Sequence, residues 1–404
     1  MPRDRFRVLL VASHPVQYAS PVFRRMAQDP RLDIQVAYCS LQGTKPAVDP
    51  EFGVEVAWDV PLLEGYPWVE VQNRSPWPGL GRFWGLVNPG LWRLLRKGSF
   101  DAVVSYTGYG YLSFWILAAA AKFSRTPLLS STDAHSLSSP NTRRWKLWVK
   151  RLCLPLIYRV CDVVMAPSEA TARFVRSLGF PAENIVLTPA AVDNDWWARE
   201  ADQIDKCAVH RRWGIPENSR VFLFCSKLQP WKRPEDALRA FAKLGNPEAF
   251  LVFAGDGPLR PKLEAEAKAL AVASRTVFLG FVNQTRLPEL FRSSDVLLLT
   301  SSYDGCPLVV CEAMACGCPV ILSDAIPGRF DIVRQGTTGF IYPCGDVDAL
   351  ASVLREVLSN PQELQQIAAG ARKRMETWSP RENIDALVLA FETAVRLKPR
   401  RAQL

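Results

Sequence analysis

The stretch Ser301-Ser-Tyr-Asp-Gly-Cys-Pro-Leu-Val-Val-Cys-Glu-Ala-Met-Ala-Cys-Gly-Cys-Pro-Val320 decides the fold of this chain. It follows an apolar run, Val296 to Leu299, that is typical of a strand, and it passes through a polar turn into a helix that starts near Pro307 and stops at Gly317. Strand, loop and helix in this order predict one unit of a doubly wound α/β sheet. In such a unit, the loop and the helix start present backbone N–H groups and a partial positive charge to an anion.

Two carboxylates flank this expected anion site. Asp304 lies in the loop, and Glu312 lies inside the predicted helix. If a phosphate binds at the helix start, each carboxylate lies beside one flank of the ligand and can accept hydrogen bonds from sugar hydroxyls. The spacing therefore predicts a nucleotide sugar as the ligand.

The length and composition of the chain predict two globular domains. With 404 residues the chain is too long for one ordinary core, and its 48% hydrophobic and 22% charged residues are typical of a soluble protein. The apolar run Arg7–Ala12 is shorter than a signal-peptide core, and the longest uncharged apolar stretch, Tyr111 to Ala121, is about half of what a spanning helix needs. We therefore expect a cytoplasmic protein without a transmembrane segment.

Cysteines give no sign of a disulfide framework or a metal site. The ten cysteines are scattered, which favours reduced thiols, although Cys306, Cys311, Cys316 and Cys318 lie close together in sequence. Their spacing matches no standard zinc pattern, and residues along one turn and helix cannot all face one ion. We expect no metal site.

Short apolar runs alternate with helical or polar segments in both halves of the chain, which predicts two doubly wound parallel sheets with a cleft between them. The first series is Phe6–Ala12, Leu32–Tyr38, Ala102–Ser105, Pro127–Ser130, Val163–Ala166 and Ile185–Thr188, and the second is Val221–Cys225, Phe250–Ala254, Thr276–Leu279, Val296–Leu299, Val320–Leu322 and Gly339–Ile341. We expect domains at residues 1–192 and 193–379, with a polar linker at 193–212. Residues 380–404 would form a last helix and a basic tail, Lys398 to Arg401.

Two lysines follow the strand Val221–Cys225. Lys227 and Lys232 can both reach a diphosphate and neutralise the charge that develops as it leaves, which is work that a divalent cation would otherwise do. Each lysine taken alone would be an ordinary solvated side chain. The turn Gly255-Asp-Gly-Pro258 permits close approach of a ligand, but Asp-Gly-Pro is also ordinary turn chemistry. Arg260 replaces the third glycine of a dinucleotide fingerprint, and no Gly-Lys-Ser/Thr phosphate loop occurs, which argues against hydride transfer and NTP hydrolysis.

These motifs resemble, in order and spacing, the group 1 retaining glycosyltransferases of family 4, which have the GT-B fold. The resemblance is specific over roughly residues 220–345 and rests on Lys227 with Lys232, Ala254-Gly-Asp-Gly-Pro258, Phe278-Leu-Gly-Phe281, Asp304 through Gly317, and Thr338-Gly-Phe340. In the first half it is looser and rests on Ala166-Pro-Ser168 and Thr188–Asp193. It implies two Rossmann-like domains that face a central cleft, with the last helix crossing back to the first domain.

The resemblance also implies roles for individual residues. Lys232 and Lys227 would hold the diphosphate, Glu312 would bind the ribose, and Asp304 would bind hydroxyls of the donor sugar. Further donor contacts would come from Gly255, Gly257, Gly305, Cys306, Pro307 and Leu308, with the base near Phe281 and Val282. Asp304 stands where the family usually has Glu, and Lys227 where it usually has Arg. Both replacements keep the charge. Asp304 reaches less far than a glutamate, and Lys227 lacks the guanidinium group with which an arginine can form two parallel hydrogen bonds.

In the first domain, the resemblance points to the anomeric centre and the acceptor. The family often has a histidine after the fourth strand, where ungapped alignment places Asp133, with His135 two residues on. We expect one of these two to act there. The alternative is that Asp133 is a cap and His135 a hydrogen-bonded loop residue. His14 and Gln17, which follow the first strand, are expected on the acceptor side.

The net charge of +9 is unevenly distributed. No acidic residue occurs from Ala134 to Cys161, where arginine and lysine alternate with tryptophan and leucine, and Trp77 to Lys97 is similar. This pattern suits a helix in an anionic lipid interface, but it also suits an ordinary amphipathic helix packed on a sheet. No nucleic-acid reader motif accompanies the charge, so we expect no nucleic-acid partner.

The resulting hypothesis is a retaining glycosyltransferase that moves a sugar from a nucleotide diphosphate sugar to an acceptor that enters through the first domain. It would need no cofactor and no metal. If segment 141–160 touches an anionic membrane, the enzyme would be peripheral on the inner face, and a lipid-linked sugar or glycolipid of polysaccharide synthesis would be the acceptor. Two alternatives stay open: a nucleotide-sugar epimerase of the same fold, and a catalytically silent membrane-bound scaffold.

Overall fold

The computed structural model describes residues 5–49, 51–138, 140 and 142–397. The chain divides into two compact units. Of the described residues, the first unit contains those within 1–45, 61–190 and 380–404, and the second contains those within 46–60 and 191–379. The basic tail Lys398 to Arg401, and Asn141 at the start of segment 141–160, lie outside the described residues.

The described chain contains fifteen strands and fifteen α-helices. The strands are β1 (Phe6–Ala12), β2 (Leu32–Tyr38), β3 (Ala47–Val48), β4 (Glu55–Val56), β5 (Trp68–Glu70), β6 (Ala102–Ser105), β7 (Leu128–Ser131), β8 (Val163–Ala166), β9 (Ile185–Leu187), β10 (Arg220–Cys225), β11 (Ala249–Ala254), β12 (Thr276–Gly280), β13 (Val296–Leu299), β14 (Val320–Ser323) and β15 (Gly339–Tyr342). The helices are α1 (Ala19–Gln28), α2 (Gly90–Gly98), α3 (Leu112–Ser124), α4 (Arg144–Tyr158), α5 (Glu169–Ser177), α6 (Asn194–Asp202), α7 (Lys206–Trp213), α8 (Pro234–Leu244), α9 (Arg260–Ala269), α10 (Leu287–Ser293), α11 (Leu308–Ala315), α12 (Arg329–Ile332), α13 (Val347–Ser359), α14 (Pro361–Met375) and α15 (Pro380–Leu397).

The first unit is built on a seven-stranded sheet in the order β5-β2-β1-β6-β7-β8-β9. All of its strand pairs are parallel. Its strands are mostly buried on both faces, as parallel strands covered by helices must be. Helix α15 packs on this sheet, where the Phe391 ring lies 5.9 Å from that of Phe6, so the predicted return of the last helix to the first unit is confirmed.

The second unit is built on a six-stranded sheet in the order β12-β11-β10-β13-β14-β15, again with parallel pairs. The helices that cover it have clear start and stop signals. Asp346 accepts a 2.9 Å hydrogen bond from the Ala349 amide and so caps α13, while Pro234 opens α8 and Gly245, at φ 68°, ends it. These local signals agree with the apolar faces that the helices bury.

The passage 193–212, which we expected to be a polar linker, is helical. Helices α6 and α7 occupy most of it, and Trp197, Ala201 and Val209 are buried in the core of the second unit. Asp205 caps α7 by accepting from the Cys207 amide. The linker prediction is therefore corrected: these charged helices present a polar face outward and an apolar face to the core.

The segment 46–60 also differs from the expected boundary, since it belongs to the second unit although β2 and β5 of the first unit flank it in sequence. It contains the antiparallel hairpin of β3 and β4. Among the described residues, no helix combines the length and the apolar character that crossing a bilayer requires.

Candidate functional site

The strand order of the second sheet reverses between β10 and β13. Chain connections leave these neighbouring strands in opposite directions, towards β11 and β12 on one side and β14 and β15 on the other. In open α/β sheets, ligands bind in the crevice at the carboxyl ends of the strands at such a point. The loops that follow these two strands contain Lys227, Lys232 and Asp304.

Hydrogen bonds to backbone carbonyls hold these two loops together. The Thr300 hydroxyl donates to the carbonyls of Lys232 and Arg233 at 2.9 and 2.8 Å, and the Ser302 amide donates to the Trp231 carbonyl at 2.8 Å. Because the loops are joined in this way, their side chains have little freedom to separate.

Lys232 and Asp304 form an ion pair at the centre of this loop pair. The Lys232 Nζ lies 2.5 Å from the Asp304 Oδ2, and the two side chains are only 17% and 13% exposed. Both predicted ligands of the donor are therefore brought together. A half-buried pair of this kind presents one cation and one carboxylate. The cation can bind phosphate oxygens of a sugar diphosphate, and the carboxylate can accept hydrogen bonds from its sugar hydroxyls.

Glu312 lies on α11 and is buried, with 7% exposure. Burial raises the pKa of its carboxyl to about 7, and the Gln284 amide, which donates a 3.4 Å hydrogen bond to it, opposes this only in part. A carboxylate without strong donors in a buried position is costly to the fold. Hydroxyl groups of a ligand would supply such donors, so Glu312 is suited to bind a diol such as ribose.

The turn that precedes α11 is tight. The Leu308 amide donates to the Cys306 carbonyl at 2.9 Å, and the Val310 amide donates to the Pro307 carbonyl at 3.0 Å. The helix begins at Leu308, with Pro307 as its N-cap rather than its first residue. The Leu308 amide is thus used within the turn, and Gly305 lies half-buried in the loop before it.

The cysteines near α11 are part of the core. Cys311, Cys316 and Cys318 are buried, and the Cys316 thiol donates to the Trp197 carbonyl at 3.5 Å. Burial raises the pKa of the Cys311 thiol to about 12. In the part of the chain that the structure describes, no group of three or more His, Cys, Asp or Glu side chains could hold a metal ion.

Gly255 and Gly257 have a packing role at the end of β11. A Cβ on Gly255 would lie 2.0 Å from the Ser226 carbonyl oxygen, and one on Gly257 would lie 2.7 Å from that of Leu228. Their φ values of +135° and +151° also disfavour any other residue. The glycines allow the loop after β11 to pack closely against the loop of Lys227, and this packing supports the predicted site.

Lys227 and Phe281 contact the segment 46–60. Lys227 forms ion pairs with Glu51 and with Asp49, the latter at 3.7 Å, and its Nζ lies 4.8 Å from the centre of the Phe52 ring. Phe281 meets the rings of Phe52 and Trp58 edge-on, with centroids 5.0 and 6.1 Å apart.

Val282, the second residue predicted near the base, packs against the core of the second unit. The predicted base position and Lys227, the lysine predicted to bind phosphate, are thus both bordered by a segment that sequence reasoning did not connect with them. Sequence reasoning also missed Gln284. It follows Phe281 by three residues, and a polar side chain at the carboxyl end of a strand was the only signal available.

The predicted residues of the first unit lie at the carboxyl edge of its sheet. The strand order reverses there between β1 and β6, and His14 and Gln17 follow β1. His14 Nδ1 lies 2.9 Å from the Ser13 hydroxyl, and burial lowers the pKa of the imidazole. Asp133 and His135 follow β7, two strands away, or roughly 10 Å at the usual strand spacing.

The local geometry of Asp133 and His135 favours neither of the two interpretations. His135 Nδ1 lies 3.4 Å from the Asp133 carbonyl oxygen, which fits a loop histidine, while Asp133 itself is exposed. The side chain of Asp133 is therefore accessible to a ligand.

Comparison with known proteins finds one matching family model in each half of the chain. The model of "Glycosyl transferases group 1" matches residues 205–374, and that of "Glycosyltransferase Family 4" matches residues 30–196. A D-inositol 3-phosphate glycosyltransferase of Geodermatophilus obscurus is 30% identical over 243 residues, which are 57% of this chain and 52% of that protein. An N-acetyl-alpha-D-glucosaminyl L-malate synthase of Bacillus anthracis is 29% identical over 214 residues, 52% of this chain and 54% of that protein. The chain thus spans about half the length of the curated relatives it matches.

Solved structures agree with the observed architecture. The structure of Anabaena HepE in complex with UDP and glucose has a TM-score of 0.74 at 19% identity and covers 96% of this chain and 100% of that one. A glycosyltransferase of Rickettsia africae has a TM-score of 0.75 at 15% identity, with 98% and 100% covered. At these identities the similarity establishes the fold, and the predicted GT-B architecture is confirmed.

Proposed function

This chain belongs to the group 1 glycosyltransferases of family 4, and from that premise we propose that it transfers a sugar from a nucleotide diphosphate sugar to an acceptor hydroxyl with retention at the anomeric carbon. One observation carries the proposal. The ion pair of Lys232 with Asp304 and the buried carboxyl of Glu312 both lie in the second unit, at or beside loops that follow its central strands. Phosphate, sugar and ribose each have a partner of the required chemistry there.

In the proposed reaction, the bond between the anomeric carbon and the diphosphate oxygen breaks while a bond to the acceptor oxygen forms on the same face. The acceptor proton passes to the departing diphosphate. Lys232 and Lys227 stabilise the negative charge that develops on that diphosphate, together with the start of α11. We propose that these cations take the role that a divalent ion has in other transferases, and that no cofactor takes part.

Acceptor binding is proposed for the carboxyl edge of the first sheet. Since burial lowers its pKa, His14 is neutral at pH 7 and can hydrogen-bond an acceptor hydroxyl, with Gln17 nearby in sequence. Asp133 or His135 would approach the anomeric centre.

Helix α4 provides a surface for an anionic membrane. It packs on the first unit through Leu154 and Tyr158, so its other face is open. That open face carries Trp145, Trp148, Leu152 and Leu156, which are 59%, 71%, 72% and 62% exposed. Exposed basic residues accompany them, namely Arg143, Arg144, Lys146, Arg151 and Arg159.

An ordinary surface helix buries its apolar stripe, whereas α4 exposes one beside arginines and lysines, which is the arrangement of an interfacial helix. We therefore propose that the enzyme is peripheral to a membrane and that its acceptor is a lipid-linked sugar or glycolipid.

The donor site is tested by calorimetric titration of the full chain with UDP, GDP and ADP and with their sugars. UDP is the first probe, because it is present in the Anabaena HepE structure. We expect binding of one nucleotide class, weakened at least about tenfold in Lys232→Ala, since charge-assisted hydrogen bonds contribute roughly 1.5–3 kcal/mol. Lys262→Ala removes an equal charge from an exposed pair with Glu235 and should bind normally. Equal binding by both variants would refute the site.

The reaction itself is tested with the nucleotide sugar that binds. An NMR spectrum of the product shows whether the anomeric configuration of the donor is kept, and an inverted product contradicts the mechanism. Isomerised sugar formed from donor alone would instead identify an epimerase.

Membrane contact is tested by flotation with vesicles that contain anionic phosphatidylglycerol. Leu152→Ala should weaken binding about tenfold or more, because three carbon groups are withdrawn from the lipid at up to about 0.8 kcal/mol each. Leu389→Ala shortens another exposed leucine, on α15, and should have no effect. Flotation of the wild type that does not depend on anionic lipid would contradict the proposal.

A further inference from the structure

The segment 46–60 borders the proposed donor site without being part of the motifs that define the family resemblance. It belongs to the second unit by its contacts, and its two strands contain only two residues each. Ala47, Val48 and Glu55 are exposed. A two-stranded hairpin of this size has little stability of its own, so its position depends on the contacts that it makes with the rest of the unit.

The first group of contacts lies at Lys227. Its ammonium pairs with the Glu51 carboxylate and lies 3.7 Å from the Asp49 carboxylate, with the Phe52 ring against it. The Gln229 amide donates to the Glu51 carbonyl at 2.7 Å, which fixes the backbone of the segment beside the lysine. Two carboxylates on one ammonium leave a net negative charge where a diphosphate would have to bind.

The second group of contacts lies at Phe281, where the base is expected. Phe52 and Trp58 meet this ring edge-on. On the same side of the site, Asn283 donates to the Ala57 carbonyl at 2.5 Å and the Thr285 amide donates to Asp59 at 3.1 Å. The segment thus covers both ends of the expected nucleotide position, with a carboxylate on the phosphate side and aromatic rings on the base side.

We propose that segment 46–60 competes with the nucleotide sugar for Lys227 and Phe281, and that donor binding displaces it. Glu51 takes the position of a phosphate oxygen, and Phe52 and Trp58 take that of the base. The donor and the segment compete for Lys227, because a diphosphate beside Glu51 and Asp49 would meet like-charge repulsion. The inference rests on the proposed donor site, and it assigns to Glu51 the effect of lowering donor affinity.

Glu51→Gln tests the competition directly. The side chain is 52% exposed, so the variant should fold, and the glutamine keeps its size while losing its charge. A partly exposed ion pair contributes little, so we expect UDP to bind about two- to fivefold more tightly. Glu55→Gln removes the same charge from the same hairpin, where the glutamate is exposed, and should bind UDP as the wild type does.

Hydrogen exchange of the full-length chain, followed by mass spectrometry of peptides from 46–60, tests the displacement. The Asp49 amide donates to the Val54 carbonyl at 3.0 Å and the Gly53 amide to the Asp49 carbonyl at 2.7 Å, so both are protected while the hairpin is in place. Saturating UDP should speed their exchange.

Each remaining outcome overturns the proposal. If UDP binds while exchange in 46–60 slows or stays the same, or if Glu51→Gln binds UDP equally or more weakly, the segment completes the site rather than competing for it. The donor site itself would then stand. If the wild type binds none of UDP, GDP and ADP, the proposed function fails, and this inference fails with it.

Discussion

Replacing Glu312 by glutamine should make the protein more stable at alkaline pH and less able to bind its donor. The carboxyl is buried on α11, and a 3.4 Å hydrogen bond from Gln284 reaches it. Glutamine has nearly the same size, carries no charge, and can form a hydrogen bond with the Gln284 amide. The substitution therefore removes the cost of the buried charge without creating a cavity.

The size and sign of the effect follow from the pKa. Burial raises the pKa of Glu312 from 4.5 to about 7, so between these values the folded chain holds a proton that the unfolded chain has released. The free energy of unfolding of the wild type therefore falls as the pH rises from about 4.5 to 7. Above that range, Glu312 causes no further change in the free energy of unfolding. At roughly 1.4 kcal/mol per pKa unit, the loss is about 3 kcal/mol.

Urea unfolding of the wild type and of Glu312→Gln at pH 5, 6.5 and 8, followed by tryptophan fluorescence, measures this difference. The two proteins should be similar at pH 5, and the variant should be more stable by about 3 kcal/mol at pH 8. Glu264→Gln, on the exposed side of α9, controls for the general loss of a carboxylate. In the same samples, UDP binding to Glu312→Gln should weaken about tenfold or more, since hydrogen bonds to a charged group contribute roughly 1.5–3 kcal/mol.

A stability difference that stays constant from pH 5 to pH 8 would refute the reasoning about burial. Unchanged UDP binding would refute the role of Glu312 as a ligand of the nucleotide.

Two further predictions concern the same site. Affinity for the nucleotide sugar should rise as the pH increases from 6 to 8, with a midpoint near 7, because the ligand hydroxyls need the ionised form of Glu312; a flat calorimetric profile would count against this. Gly255→Ala places a Cβ 2.0 Å from the Ser226 carbonyl at φ +135° and should cost at least about 2 kcal/mol in urea unfolding. The control Gly214→Ala has φ +69° and open space, and should cost only about 1 kcal/mol.

Much of the fold could be predicted because parallel strands are buried on both faces and appear as continuous apolar runs. The strands Phe6–Ala12, Leu32–Tyr38, Ala102–Ser105 and Val163–Ala166 have the predicted bounds. The strands that sequence reasoning missed, β3, β4 and β5, contain two or three residues, which is too short to show a period of two.

The prediction of a linker at residues 193–212 was wrong for a different reason. Helices α6 and α7 are rich in charge, and their buried side, with Trp197, Ala201 and Val209, is narrow. Average polarity over such a passage resembles that of a linker, and only spacings of three and four residues between apolar positions reveal the helices.

For the site, the sequence predicts those features that follow from the order of strands, loops and helices. Parallel strands put the loops with Lys232 and Asp304 at one edge of the sheet, so their proximity follows from topology. Contacts between distant segments do not follow from any local pattern. The bond from Gln284 to Glu312 joins residues 28 positions apart, and that from Lys227 to Glu51 joins residues 176 apart.

The charges of the proposed site are largely balanced within the protein. Lys232 is paired with Asp304, and Lys227 is paired with Glu51 and Asp49. In the proposed site, a diphosphate would therefore not enter a region of free positive charge, because carboxylates already pair with both lysines. It would have to replace those carboxylates. We expect such an exchange to favour a ligand that also gives the released carboxylate a partner, as a sugar hydroxyl would do for Asp304. Inorganic phosphate offers no such partner, so we expect the paired arrangement to favour a ligand that contains both phosphate and sugar.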